Sequence, residues 1–590
     1  MIQREDGLLE NKKNLKNRWI VIILAAICAA AFVFFKHTTV YLPYAILKTV
    51  LAALVLSAAG TLMIMSPGSV LNWIRQHRGR LIRVLVLETG LFLYMYFFVH
   101  RIKTVKSLYS SVQITFSILI MVLIFLVFLF TESRKIPLHR IYMVIGLTMG
   151  ILFLFMQPPG TVPDEKTHMY AAYDVSNSMM GIHRTPEGSL VMRGEDASAK
   201  LSSDVQTGDS FMQYWRSVDD SLLYGEIVDT GRKPLSTQKY QYFMPALGLT
   251  LGRGLHLGTQ AVFFLGRLFN MIWFVLVTAY AIRLLPFGKT ALMVLALTPM
   301  TLQQASSFSY DVFINSTAFL LVAVTLQLAY GKEADPGKTE KKYVRYIRMG
   351  VLAAACILLF PTKAFVYAPL CFLPLILVVK KWKTSRREAL IYVGIMAVSA
   401  AVAGAMWILP TLNNTGVLSS EGAVSYTGEA GSVEYTLGYL LAQKDEWIHV
   451  LLNTSRNFGD FYLESMIGTP LGWLSVVVNP VLVYVYVVLL VLASLQKTGE
   501  QTYIGVPGKL WIHFLAWGSV AAVLLGMLLA YTPVSHQRIE GVQGRYFIPM
   551  CLPMLLTIRS DRIRASAETD GPILSAVLAC LFFTVHFIIT

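Results

Sequence analysis

Apolar runs of bilayer-crossing length recur along almost the whole chain, and nothing else in the sequence constrains the fold as strongly. A transmembrane helix needs about 17–25 predominantly apolar residues, because the hydrocarbon offers no water to an open backbone. By that length rule we read about fifteen spans. Those near the N-terminus are 19–35, 43–65, 84–99 and 110–130. A central set follows at 141–157, 260–285, 289–305, 311–330, 348–360, 364–380 and 389–409. The last are 473–495, 510–531, 546–558 and 572–589. The sequence therefore predicts an all-α polytopic membrane protein. Its 14% of charged residues, against roughly 25% in soluble domains, agrees with a surface that faces more than water. The first run follows a basic segment, as a signal peptide would. The many equivalent spans behind it favour a retained helix.

The net charge of +16 raises nucleic acid as a partner, but its distribution points to topology. Basic residues gather in alternate short segments, including Lys380, Lys381 and Lys383, and the stretch from Lys341 and Lys342 to Arg348. Short basic segments stay cytoplasmic, which puts the N-terminus inside and the long segments 158–258 and 410–472 outside. The expected location is a cell membrane, with the lipid bilayer as partner and no nucleic acid. The cytoplasmic loops leave no room for a nucleotide-binding domain, and no GxxxxGK[ST] phosphate loop occurs. All five cysteines, Cys28, Cys356, Cys371, Cys551 and Cys580, fall in or beside apolar spans, without metal-ligand spacing.

Chemistry concentrates after the fifth span. Gln157-Pro158-Pro159-Gly160 ends that helix, and Pro163-Asp164-Glu165 sets two adjacent carboxylates at the membrane surface, with His168 three residues on. Apolar spacing over Lys166–Met180 (Tyr170, Tyr173, Met179, Met180) predicts a helix lying along the interface. Asp164 stands where an N-cap would accept free amides, a role that can coexist with chemistry. Arg267 lies inside span 260–285, and intramembrane charges point to function or to snorkelling. Arg545 precedes span 546–558, Lys363 sits in the Pro361-Thr362-Lys363 turn, and Asp311 opens span 311–330 as a second carboxylate or a cap. Asp445, Glu446 and Trp447 belong to an outward amphipathic segment, with Trp447 an interface anchor or a sugar platform.

Pro163-Asp164-Glu165-x-x-His168 after a transmembrane helix, together with Gly544-Arg545-Tyr546-Phe547-Ile548-Pro549, resembles a bacterial family of predicted membrane proteins catalogued as a domain of unknown function. Gly266-Arg267-Leu268 and Ser307-Phe308-Ser309-Tyr310-Asp311 add to the likeness, which covers roughly 141–590. Lys166 stands where the family is expected to carry proline. The family is grouped by similarity with the GT-C glycosyltransferases, which use polyprenyl-phosphate sugars. The resemblance implies four accessory helices in 1–140 and a GT-C-like seven-helix module in 141–409, with 158–258 as its first external loop. The remainder, 410–590, holds the external loop 410–472 and the C-terminal helices.

It also implies an activity: inverting transfer of a sugar from a polyprenyl-phosphate donor to a cell-envelope glycan or wall-polymer acceptor. Such a reaction needs a base for the acceptor hydroxyl and cations for the departing phosphate. Asp164 is the expected base, with Glu165 orienting it. Arg267, Arg545 and Lys363 are the expected donor-phosphate ligands, and His168 and Asp311 the expected substrate contacts. A carboxylate pair suits Mg²⁺ or Mn²⁺, while many GT-C members work without metal, so the metal stays open. Two other readings stand beside this one. A transporter or flippase for a lipid-linked glycan predicts repeats and midplane charges. A non-catalytic partner in polysaccharide assembly predicts that Asp164 is dispensable.

Overall fold

The computed structural model describes residues 67–101, 117–128, 136–199, 201, 226–234, 239–334, 341–413, 435–500, 504–534 and 536–589. The expected spans 19–35 and 43–65 lie outside the described residues. The chain divides into two compact units, Met1–Ile136 with Leu574–Thr590, and Pro137–Ile573. In the first, the long helix Pro67–Arg101 contains the expected span 84–99, and Tyr94 packs edge-on against Phe583 at 5.0 Å. Every candidate site residue lies in the second unit.

That unit is built from α1 (Leu138–Met156), α2 (Glu165–Met179), α3 (Phe243–Gly254), α4 (Thr259–Leu284), α5 (Lys289–Ala296), α6 (Pro299–Ala305) and α7 (Asp311–Ala334). It continues with α8 (Lys342–Leu359), α9 (Leu375–Trp382), α10 (Arg386–Asn413), α11 (Lys444–Ile467), α12 (Pro480–Ser494), α13 (Val506–Tyr531) and α14 (Ile548–Leu556). At the centre α4 packs against α1, α3 and α7. Its buried face includes Val262, Phe263, Met271, Phe274 and Val275.

Six helices among the described residues are long and apolar enough to cross a membrane: Leu138–Met156, Thr259–Leu284, Asp311–Gly331, Arg386–Met406, Val506–Tyr531 and Asp570–Ile588. Two of the expected spans lie outside the described residues, and proline interrupts three others. The run 289–305 breaks into α5 and α6, because Thr298 is extended ahead of Pro299. The run 364–380 becomes a short 3-10 turn, Ala368–Phe372, followed by α9, with Pro369 and Pro374 each removing a backbone donor. The run 546–558 is the turn Gly544–Phe547 and the nine-residue α14, which contains Pro549 and Pro553. Apolar composition alone counts such broken segments as spans.

The expected helix after Pro163 is present as α2. It packs on α3, with Met169, Ala172 and Tyr173 buried in a cluster shared with Tyr242, Leu249 and Phe263. Two short strands beyond it, β1 (Val191–Arg193) and β2 (Ile227–Asp229), pair antiparallel with Met192 opposite Val228. One carboxylate fastens this segment: Asp196 accepts from Tyr173 at 2.7 Å, from Arg193 at 2.8 and 2.9 Å, and from Thr259 at 2.8 Å. The described part of 158–258 is thereby tied to the first residue of α4.

Candidate functional site

Pro163 and the turn before it carry the chain out of α1 and into α2, and the two carboxylates that follow diverge. Asp164 adopts a left-handed backbone (φ 62°), which an L-residue enters only at a cost and which Asp and Asn tolerate better than most. Glu165 begins the helix. The one-residue step therefore sends the two side chains to different surroundings.

Glu165 goes inward and is 1% exposed. Its Oε2 accepts from the Gly160 amide at 2.8 Å and its Oε1 from the Phe308 amide at 3.2 Å, with Arg267 Nε 3.1 Å from Oε1. Arg267 is also 1% exposed and donates to the Gln157 carbonyl at 2.8 Å. Burial pushes the Glu165 carboxyl up, while Arg267 and the amides of Gly160, Phe308 and Val162 pull it back down. The neighbouring motif residues serve this junction. Gly266 leaves room for the Phe308 ring, which a Cβ would meet at 2.6 Å, and Asn270 donates to the Ser307 and Ser309 carbonyls at 2.8 and 3.1 Å. Arg267 thus joins α4 to the α1–α2 turn.

Asp164 goes outward, its side chain 51% exposed, and accepts from Arg545 Nη2 at 2.9 Å across 381 positions of chain. Although it sits at the N-cap position of α2, its side chain makes no cap hydrogen bond, which corrects the cap expectation. Arg545 is 3% exposed, also faces the Pro163 carbonyl at 3.4 Å, and has Nε 3.7 Å from Asp311 Oδ2. Gly544 makes this placement possible. A Cβ there would lie 1.9 Å from the Tyr462 carbonyl oxygen of α11, and its amide donates to Ser465 at 2.9 Å.

Asp311 is 5% exposed and pairs through Oδ1 with Lys363 Nζ at 2.6 Å. Its carboxylate is spent on these cations, and the Ser309 hydroxyl receives the Asp311 amide at 3.2 Å. Lys363, Ala364 and Phe365 are consecutive left-handed residues, at φ 45°, 51° and 67°. This turn presses Nζ of Lys363 over the rings of Tyr546 (3.9 Å) and Tyr310 (5.0 Å). Burial opposes the Lys363 charge, yet Asp311, Tyr310 and Tyr546 hold its ammonium above the ordinary lysine value. With Asp164, four of the six described non-glycine residues at positive φ belong to this cluster. Strain of about 1–3 kcal/mol each persists where surrounding structure enforces it, as at binding sites.

His168 lies one turn into α2, within bonding distance of the Tyr242 hydroxyl (Nδ1, 2.8 Å) and edge-on to Tyr310. Burial lowers its pKa to about 4, against the pull of Asp164 and Asp311. It is a neutral support at neutral pH. Sequence reasoning missed Tyr546, Tyr310 and Tyr242, although Tyr546 and Tyr310 stand inside the quoted motifs. Asp445, Glu446 and Trp447 open α11. Glu446 accepts from Tyr439 at 2.5 Å and Trp447 Nε1 donates to the Leu440 carbonyl at 2.8 Å, so the indole is tethered to its own segment.

Among the described residues no group of three or more His, Cys, Asp or Glu side chains is placed to hold a metal ion. Asp164 and Asp311 are engaged by protein cations, so the residues present do not gather as a metal cradle.

No curated protein and no solved structure matches the chain. A family model described as a predicted membrane protein matches residues 147–554, more than half of the sequence, and encloses all of the cluster above. With long apolar helices and that match together, the chain belongs to the predicted membrane protein family DUF2142.

Proposed function

We propose that this protein transfers a sugar from a polyprenyl-phosphate donor to a cell-envelope glycan or wall polymer at the outer face of a bacterial membrane. The observation that carries the reading is the Asp164–Arg545 pair: a half-exposed carboxylate held 2.9 Å from a buried guanidinium, with the Lys363–Asp311 pair behind it. Arg545 Nη2 meets the half-exposed Asp164 carboxylate, the side from which a ligand reaches the guanidinium. A guanidinium and an ammonium side by side suit a phosphate leaving group. A solvent-reachable carboxylate next to them suits a general base.

The roles follow from those positions. Asp164 takes the proton of the acceptor hydroxyl. Arg545 and Lys363 bind the donor phosphate and stabilise its charge as the bond to the sugar breaks. Asp311 holds both cations in place. Glu165 and Arg267 position the turn that carries Asp164. His168 supports Tyr242 and Tyr310 around the site.

The test is a comparison of surface glycans by mass spectrometry in a deletion strain and its complemented parent. A sugar lost on deletion and restored by the intact gene is the expected result. Identical glycans in both strains overturn the proposal. Orientation has its own test: a cysteine replacing the exposed Glu187 reacts with an impermeant maleimide in intact cells if this face is external.

A further inference from the structure

We infer that Asp164 and the donor phosphate compete for Arg545, so that donor binding is the event that releases the base. This rests on the donor-phosphate reading above and adds an order to it.

The geometry of the guanidinium carries the argument. Of its partners, Asp311 and Tyr546 belong to the packed interior side, and the Pro163 carbonyl lies in the buried turn. Asp164 is the partner whose side chain reaches solvent, 51% exposed against 7% for Asp311. The Nη2 group divides its two N–H bonds between Asp164 at 2.9 Å and the Tyr546 hydroxyl at 3.4 Å. A phosphate arriving from the open side therefore meets Arg545 where the Asp164 carboxylate already sits. Both ligands are anions, and two anions on one edge repel. The phosphate gains Lys363 as a second cation, which Asp164 does not contact. The exchange favours phosphate on Arg545 and leaves Asp164 unpaired beside it.

The consequence for the reaction is sequential. While Asp164 is bound to Arg545 its Oδ2 is engaged by the guanidinium. Once displaced, it accepts the proton of the acceptor hydroxyl. The acceptor oxygen then forms its bond to the anomeric carbon. The bond from that carbon to the phosphate oxygen breaks, and its electron pair leaves on the phosphate, held by Arg545 and Lys363. Donor binding precedes acceptor activation.

The experiment measures binding of geranyl phosphate to the full chain in detergent micelles by titration calorimetry, with geraniol as the phosphate-free control. Asn and Gly both accept a left-handed backbone, so Asp164→Asn and Asp164→Gly remove the competitor without disturbing the turn. Both variants are expected to bind geranyl phosphate about tenfold tighter than wild type, the equivalent of roughly one net hydrogen bond. Geraniol binding stays unchanged. Arg545→Gln binds geranyl phosphate more weakly than wild type. If Arg545→Gln weakens binding while both Asp164 variants bind no tighter than wild type, the competition is overturned and the phosphate site stands. If Arg545→Gln binds as wild type does, phosphate is not held here and both readings fall.

Discussion

Asp164 and Glu165 are the same chemical group one residue apart, and the regions they enter could hardly differ more. Glu165 belongs to a closed anchor where Arg267 and backbone amides surround it and 1% of its surface remains. Asp164 belongs to an open cluster where one guanidinium holds it and half of it is exposed. A buried charge with its partners in place fixes structure, and removing one partner is costly. An exposed carboxylate on a buried cation contributes little to stability and stays available to ligands. On the proposed function, Glu165 and Arg267 serve architecture and Asp164 and Arg545 serve chemistry.

The sharpest way to break this division is Arg267→Met. It leaves Glu165 buried without its cation, and a loss of about 3–5 kcal/mol of stability is expected. Thermal melting in micelles reads it, and an unchanged melting temperature would show that the anchor anchors nothing. Gly544→Ala probes the support of the open cluster. Its Cβ has no room beside the Tyr462 carbonyl, and overpacking of that kind costs about 1–3 kcal/mol. Donor use should fall along with stability, because Arg545 moves with the segment. Arg545→Gln acts on the site directly and also takes one cation from the buried Asp311. Loss of a charged donor to the phosphate costs about 1–3 kcal/mol, roughly ten- to a hundredfold in donor affinity, and the melting temperature falls less than in Arg267→Met, because Lys363 still pairs with Asp311.

The comparison is also sharpened by a pH dependence, which is absent at neutral pH and grows only on acidification. Burial lowers the His168 pKa from 6.5 to about 4 in the folded protein. The unfolded chain therefore binds the proton first as pH falls, so the stability contributed by neutral His168 is complete above 6.5 and lost progressively toward 4. His168→Asn should flatten that acid-side decline in melting temperature. An identical decline in both proteins would place the titration elsewhere.

Much of this site was legible in the sequence, because its parts sit where helices must stop. Pro163 fixed the turn and Asp164, and apolar spacing found α2 to within a residue of its start. The Gly544-Arg545-Tyr546 motif identified the cation that Asp164 meets. The partner of Arg267 was not legible, for a physical reason. It depends on which of two adjacent carboxylates turns inward, and that is decided by the left-handed backbone at Asp164, which no residue pattern announces. The left-handed turn at Lys363–Phe365 was invisible for the same cause, since none of its residues is glycine. The breaks at Pro299, Pro369 and Pro374 fall inside apolar runs that composition reads as continuous.

The central claim is that Asp164 acts as a base. The most direct measurement complements the deletion strain with Asp164→Asn at wild-type expression and melting temperature, and quantifies the surface glycan. Asn keeps the shape and the left-handed turn but cannot take a proton. The account predicts that the glycan stays absent or falls by the 10²–10⁴ in rate that loss of a general base typically costs, about 3–5 kcal/mol. Full restoration of the glycan by Asp164→Asn would contradict it.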